Sequence, residues 1–189
     1  MKPTRAVSDI EIITTTQRLV LRKCNTADAA FMVSLVNTAG WLQYIGDRKI
    51  ENNLAAVQYI SNGPLKSYAD YGFGLWTVTL KESGTPIGLC GLLKRAQLDH
   101  ADIGFAFLRQ YIQKGYAYES SNACLEYAKN TFGLKMIYGI TLPSNTASIK
   151  LLEKIGLQYV YNITLGDDEL MLFSTSLQKN TKRASGNPE

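Results

Sequence analysis

Residues 102–128, DIGFAFLRQYIQKGYAYESSNACLEYA, restrict the fold of this chain more than any other stretch. Residues 103–108 read as a buried strand. A short polar loop follows, and near Gly115 a helix opens with Ala117, Ser121, Cys124, Leu125 and Ala128 at helical spacing. A strand that turns into a helix through small residues aims several unpaired amides, with the positive end of the helix dipole, at one spot. Gln113, Lys114, Gly115, Tyr116 and Ala117 form that turn. It suits a phosphate or pyrophosphate. Neither GxxxxGK(S/T) nor GxGxxG is present, so the loop is not that of a P-loop or dinucleotide fold.

Around this unit the chain alternates short strands and helices. Asn25 and Thr26 can cap a helix with Ala27, Ala30, Phe31 and Leu35 on one face. A looser segment, 40–46, leads to a second helical pattern, with Ile50, Leu54, Val57 and Ile60, expected to stop before Gly63-Pro64. Residues 73–80 and 86–95 are β-rich and joined by a polar, glycine-containing turn, and 101–108 adds a third strand. A strand at 136–142, a helix at 145–155 and a hairpin of 157–164 with 169–176 complete the pattern. The expectation is an α/β fold, a mixed sheet of about seven strands with four helices.

Bulk properties narrow the function. At 189 residues with 46% hydrophobic content, the chain supports a single domain, expected over 15–177 and flanked by loose segments at 1–14 and 178–189. The formal charge is +4. The tail supplies Lys179, Lys182 and Arg183 against Glu189, or 3 − 1 = +2, so no basic stripe is left to argue for nucleic acid. Cys24, Cys90 and Cys124 are odd in number and far apart, which reads as buried thiols in a reducing compartment. With no signal peptide and no apolar run near about 18 residues, a cytoplasmic protein without a membrane span is expected. There is one histidine, His100.

Three ordered motifs resemble the GNAT superfamily of N-acetyltransferases. Its acetyl-coenzyme A loop has the pattern Arg/Gln-x-x-Gly-x-Gly/Ala, and this chain has Ile112-Gln113-Lys114-Gly115-Tyr116-Ala117. Ile112 departs from Arg/Gln in the way common to the branch that acetylates ribosomal-protein N-termini. Residues 143–157, PSNTASIKLLEKIGL, resemble the second cofactor segment through Asn145, Ser148, Leu151, Leu152, Lys154, Gly156 and Leu157. Residues 16–22, TQRLVLR, resemble that branch's first strand.

The resemblance implies a layout for the site. Two central parallel strands, here 101–108 and 136–142, splay apart and admit the pantetheine of acetyl-CoA. Its amides would pair with the backbone of Phe105, Ala106, Phe107 and Leu108, and its pyrophosphate would sit on Gln113 to Ala117. Asn145 would contact the pantetheine arm, although Ser144 or Asn145 can equally cap the helix. Asp102 stands where the family has Glu and is the candidate base, whereas Glu119 is read as a structural partner of the helix dipole. Ser148 is the candidate donor to the departing thiolate, because the tyrosine many relatives use is replaced by Leu151-Leu152. The first two helices would form the acceptor wall, with Trp41, Tyr44, Asp47 and Arg48 as contacts; Trp41 and Tyr44 can also simply pack beneath a loop.

Acetyl transfer to a primary amine, either a small molecule or a protein N-terminus, is therefore the expected activity, with no metal. A non-catalytic acyl-CoA-binding module or sensor is the alternative. Monomer and homodimer both remain open, the closing hairpin being the surface a dimer would use.

Overall fold

The computed structural model describes residues 10–177. Among these residues eight strands form one sheet: β1 (Ile12–Thr15), β2 (Leu19–Lys23), β3 (Leu75–Leu80), β4 (Pro86–Leu93), β5 (Asp102–Phe107), β6 (Met136–Thr141), β7 (Gln158–Leu165) and β8 (Asp168–Ser176). Their spatial order is β1-β2-β3-β4-β5-β6-β8-β7. Only β5 and β6 run parallel; the other neighbours are antiparallel. The extra strand relative to the expected seven is β1, which begins inside the segment 1–14 expected to be loose. It pairs back on β2, where Ile12 lies opposite Arg22 and Thr15 opposite Val20.

The helices are α1 (Ala29–Val36), α2 (Ala39–Tyr44), α3 (Asn53–Ile60), α4 (Lys66–Tyr71), α5 (Tyr116–Phe132) and α6 (Thr146–Lys154). Two corrections to the sequence reading concern the acceptor wall. The 40–46 segment is mostly the helix α2, capped by Thr38, whose hydroxyl accepts from the Trp41 amide at 3.4 Å. The second helix does not stop at Gly63-Pro64. A π-turn, Ser61–Leu65, carries it into α4, so α3 and α4 form one bent helix and the described residues contain five helices, not four. Proline has no amide hydrogen to donate, and the wider turn absorbs the irregularity.

Alternation along β3 assigns the two faces. Trp76 meets Tyr127 of α5 edge-on, with ring centroids 5.5 Å apart, while the next residue, Thr77, donates its hydroxyl to Asp28 just before α1. Thus α5 covers one face and the α1–α4 layer the other. Gly139 of β6 permits α6 to lie close, because an added Cβ would stand 2.6 Å from Leu152 Cδ2. Gly91 is tighter still, 2.1 Å from the Gly74 carbonyl. No helix among the described residues is long and apolar enough to cross a membrane.

Candidate functional site

The neighbouring ladders are extensive where β5 meets β4, with six residue pairs from Gly88↔Phe107 to Leu93↔Asp102. Where β5 meets β6 the register holds a single pair, Asp102↔Tyr138, next to the Tyr138 amide donating to Ala101 O at 2.9 Å. Beyond it the strands diverge. The edge of β5 facing β6 consequently keeps backbone donors and acceptors that no strand satisfies, a template for an extended ligand. A cleft of about 770 Å³ opens there.

The cleft gathers residues from distant parts of the chain. Asp102, Phe105, Ala106 and Phe107 come from β5, Asn145 and Ser148 from α6, and Trp41, Tyr44 and Arg48 from α2 and its loop. Leu108 does not line it; its amide donates to Ile87 O at 2.9 Å, on the β4 side. Gln113 to Ala117 stand outside the lining, one step beyond Arg109 and Ile112, which are part of it. Asp47, offered as an acceptor contact, instead pairs with Lys49 at 2.7 Å. His100 is also outside the cleft and stacks edge-on to Tyr138 at 5.0 Å.

Asp102 is 1% exposed and receives one side-chain cation, Arg95, whose Nε donates to Oδ1 at 3.0 Å and Oδ2 at 3.1 Å. Burial pushes the carboxyl up from its ordinary value, and the Arg95 charge offsets that only in part. The antiparallel register explains the pairing. Since Leu93 faces Asp102, the chain leaving β4 brings Arg95 back alongside it. Arg95 escaped the sequence reading, yet the hairpin register could have found it; Tyr59, Arg109 and Asp168, also in the lining, come from separate elements and carry no such local signal.

The loop before α5 is shaped for an anion. Gly115 takes φ 81 and Gln113 takes φ 61, left-handed values that turn the backbone directly into the helix, and no side chain caps the first amides of α5. The nearby anchors are on β2 and the turn before it. Arg18 donates Nη1 to Lys114 O at 3.1 Å, pairs with Glu119 at 2.7 Å and lies 4.5 Å from the Tyr116 ring centroid. Glu119 also accepts from the Thr16 hydroxyl at 2.6 Å and the Arg18 amide at 2.9 Å. Burial alone would raise its pKa, but these bonds hold it below the ordinary carboxylate value. Glu119 is therefore a structural anchor, through β1–β2 contacts rather than the dipole alone.

On the opposite wall, the Asn145 side-chain oxygen accepts from the Ser148 amide at 3.1 Å and caps α6. Capping occupies only its oxygen, leaving its Nδ2 for the cleft. The Ser148 hydroxyl has no partner among the described residues. Leu152, one of the two leucines standing where a tyrosine is expected, is 1% exposed and packs over Gly139. Among the described residues there is no group of three or more His, Cys, Asp or Glu that could hold a metal.

Known proteins resemble this chain in sequence and in fold. A Bacillus subtilis protein, YkkB, is 36% identical over 92 residues, 47% of this chain, and the match spans only 53% of that protein. The N-acetyltransferase p20 of Bacillus licheniformis is 28% identical over 147 residues, covering 76% of this chain and 80% of its own. RimL, a ribosomal alpha-N-protein acetyltransferase solved in complex with coenzyme A, superimposes with a TM-score of 0.72 over 88% of this chain and 98% of its own. At 14% identity that likeness speaks for the fold. Residues 18–158, which hold the splayed strands and both loops that border the cleft, match the acetyltransferase (GNAT) domain, and the chain belongs to that family.

Proposed function

We propose that this chain transfers an acetyl group from acetyl-CoA to a primary amine by direct attack within the cleft. The observation that carries the reading is the single β5–β6 pair, which leaves the β5 edge at 103–107 free to receive the pantetheine amides. The donor fits the chain in two further respects: the uncapped start of α5 offers amides to the pyrophosphate, and Arg109 and Ile112 join that loop to the cleft. The thioester supplies an activated acetyl group; the remaining work falls to the protein.

In the balanced reaction a C–N bond forms, the C–S bond breaks, the amine gives up a proton and the thiolate gains one. Asp102, already biased toward its protonated form by burial, accepts the amine's proton directly or through water. Ser148, with its hydroxyl uncommitted, donates toward the departing sulfur. Holding two substrates in one cleft contributes roughly 7–11 kcal/mol in favourable cases, which reduces the demand on either group.

Leucines at 151 and 152, where a tyrosine acid is expected, favour a second reading, a module that binds acetyl-CoA without transferring from it. Calorimetric titration with acetyl-CoA, run beside a thiol-release assay over small amines and N-terminal peptides, separates the two. Binding with thiol release is the expected result; binding with no release from any acceptor would favour the sensor, and no binding would sink both.

A further inference from the structure

The acceptor wall holds hydrogen-bond donors for which the described residues supply no side-chain acceptor. Trp41 is 4% exposed and lines the cleft, and its Nε1–H is buried without a partner. Trp76 is the other such indole, but it stands edge-on to Tyr127, whereas no ring contact engages Trp41 among the described residues. The Tyr59 hydroxyl, also at the cleft, has no hydrogen-bond partner among them either. A buried donor left unmatched is unfavourable, and a ligand acceptor removes the penalty.

Arg48 completes the group. It sits in a loop bent by Gly46 at φ 97 and Lys49 at φ 54. Of the loop's two carboxylates, Asp47 is committed to Lys49 at 2.7 Å and accepts from its amide at 2.8 Å, and the charge of Glu51 acts on the same lysine. The Arg48 guanidinium is left with the Ile45 carbonyl at 3.5 Å and no ion pair among the described residues. Its charge also acts on Tyr59, opposing the upward push that burial gives that hydroxyl, so the two groups lie within electrostatic reach.

We infer that the acceptor is an amino carboxylate, an amine with a carboxylate a few bonds away, whose carboxylate pairs with Arg48 and takes further hydrogen bonds from Tyr59 and Trp41. The inference rests on the transferase reading. The planar guanidinium fork matches a carboxylate with two parallel hydrogen bonds. A polyamine would meet Arg48 as a like charge, and a protein N-terminus presents a neutral carbonyl beside its amine. Asp102 lines the same cleft and is there to receive the amine's proton.

The test uses the twenty amino acids, each beside its amide and its decarboxylated amine. Acceptors are titrated calorimetrically into the protein with coenzyme A bound, and thiol release is followed with acetyl-CoA. One amino acid or a chemically related group is expected to bind and to show kcat/KM roughly 10- to 100-fold above its amide and amine. Arg48→Gln should collapse that ratio to about threefold or less through KM, with Arg48→Lys restoring part of it. Equal use of all three forms, preference for the decarboxylated amines, or release from none would overturn the inference. Acetyl-CoA binding in the same preparation separates the failures: selectivity lost while binding persists removes the carboxylate alone, whereas no binding removes the transferase reading with it.

Discussion

Two arginine–aspartate pairs with buried carboxyls sit in different corners of the sheet, and their carboxyl pKa values shift in opposite directions. Asp28, before α1, accepts from Arg22 at 2.6 and 2.8 Å, from the Asn25 amide at 3.0 Å and from the Thr77 hydroxyl at 3.1 Å. Burial alone would raise its pKa, yet these donors carry it below the ordinary value. Asp102 has Arg95 alone as a side-chain donor, Lys94 adding only its charge, and burial wins. The same two residue types thus give a lowered carboxyl pKa where donors converge from β2, β3 and a capped turn, and a raised one where a single arginine bonds a buried carboxyl at the start of β5. What differs is the number of donors the backbone brings to the carboxylate.

The largest effect should come from Asp28→Ala. Removing one partner of a buried pair typically costs about 3–5 kcal/mol, read as a lower urea midpoint, because Arg22 is left charged and unmatched. Asp102→Asn should change stability by about 1 kcal/mol or less, since its site already disfavours the charge. Comparable losses for the two variants would break the comparison.

Next in size, Asp102→Asn should lower kcat about 100-fold if Asp102 is the base. Retention of full activity would leave water as the acceptor. The pH profiles sharpen the contrast. Asp28 has a depressed folded pKa, so its stabilisation is present above its unfolded pKa and is lost as pH falls through the folded one. Asp102 has a raised folded pKa, so its effect runs the other way, with stability falling as pH rises from the unfolded to the folded pKa. Activity should fall on the acid side at a pH above the ordinary carboxylate range while the fold persists to lower pH, and the Asp102→Asn variant should lack that limb.

Arg95→Gln tests the cause. With the largest opposing charge gone, burial weighs more heavily and the acid limb of the wild-type profile should move to higher pH. An unmoved limb would assign it to another group. The smallest expected effect is that of Asn145→Ala, about 1 kcal/mol from the lost cap of α6. A rise in the apparent KM for acetyl-CoA larger than that stability loss would show that its free Nδ2 also contacts the donor.

Much of the fold was legible because its signals are local. The strand-loop-helix of β5 and α5, the β3–β4 hairpin and the Asn145-led start of α6 each depend on residues within about a dozen positions, and each lies near its expected bounds. The misreadings have physical reasons. Pro64 signals a helix end, but a π-turn tolerates it once α3 and α4 pack on the sheet. Ile12–Thr15 reads as polar and loose, yet pairing with β2 gives it a partner no local pattern discloses. In the site, motif positions found Asp102, Ser148 and Asn145, while Tyr59 and Asp168 reach the cleft only through packing of elements far apart in sequence.

By itself the sequence determined most of the elements, the strand-loop-helix turn at 113–117 and the family to which they belong, because these follow from short-range periodicity and motif spacing. Only the tertiary structure decided that β5 and β6 part after one pair, that converging donors lower the Asp28 pKa while burial raises that of Asp102, and that Trp41, Tyr59 and Arg48 line one cleft. Those properties depend on which distant groups share a low-dielectric space, and separation along the chain does not encode that distance.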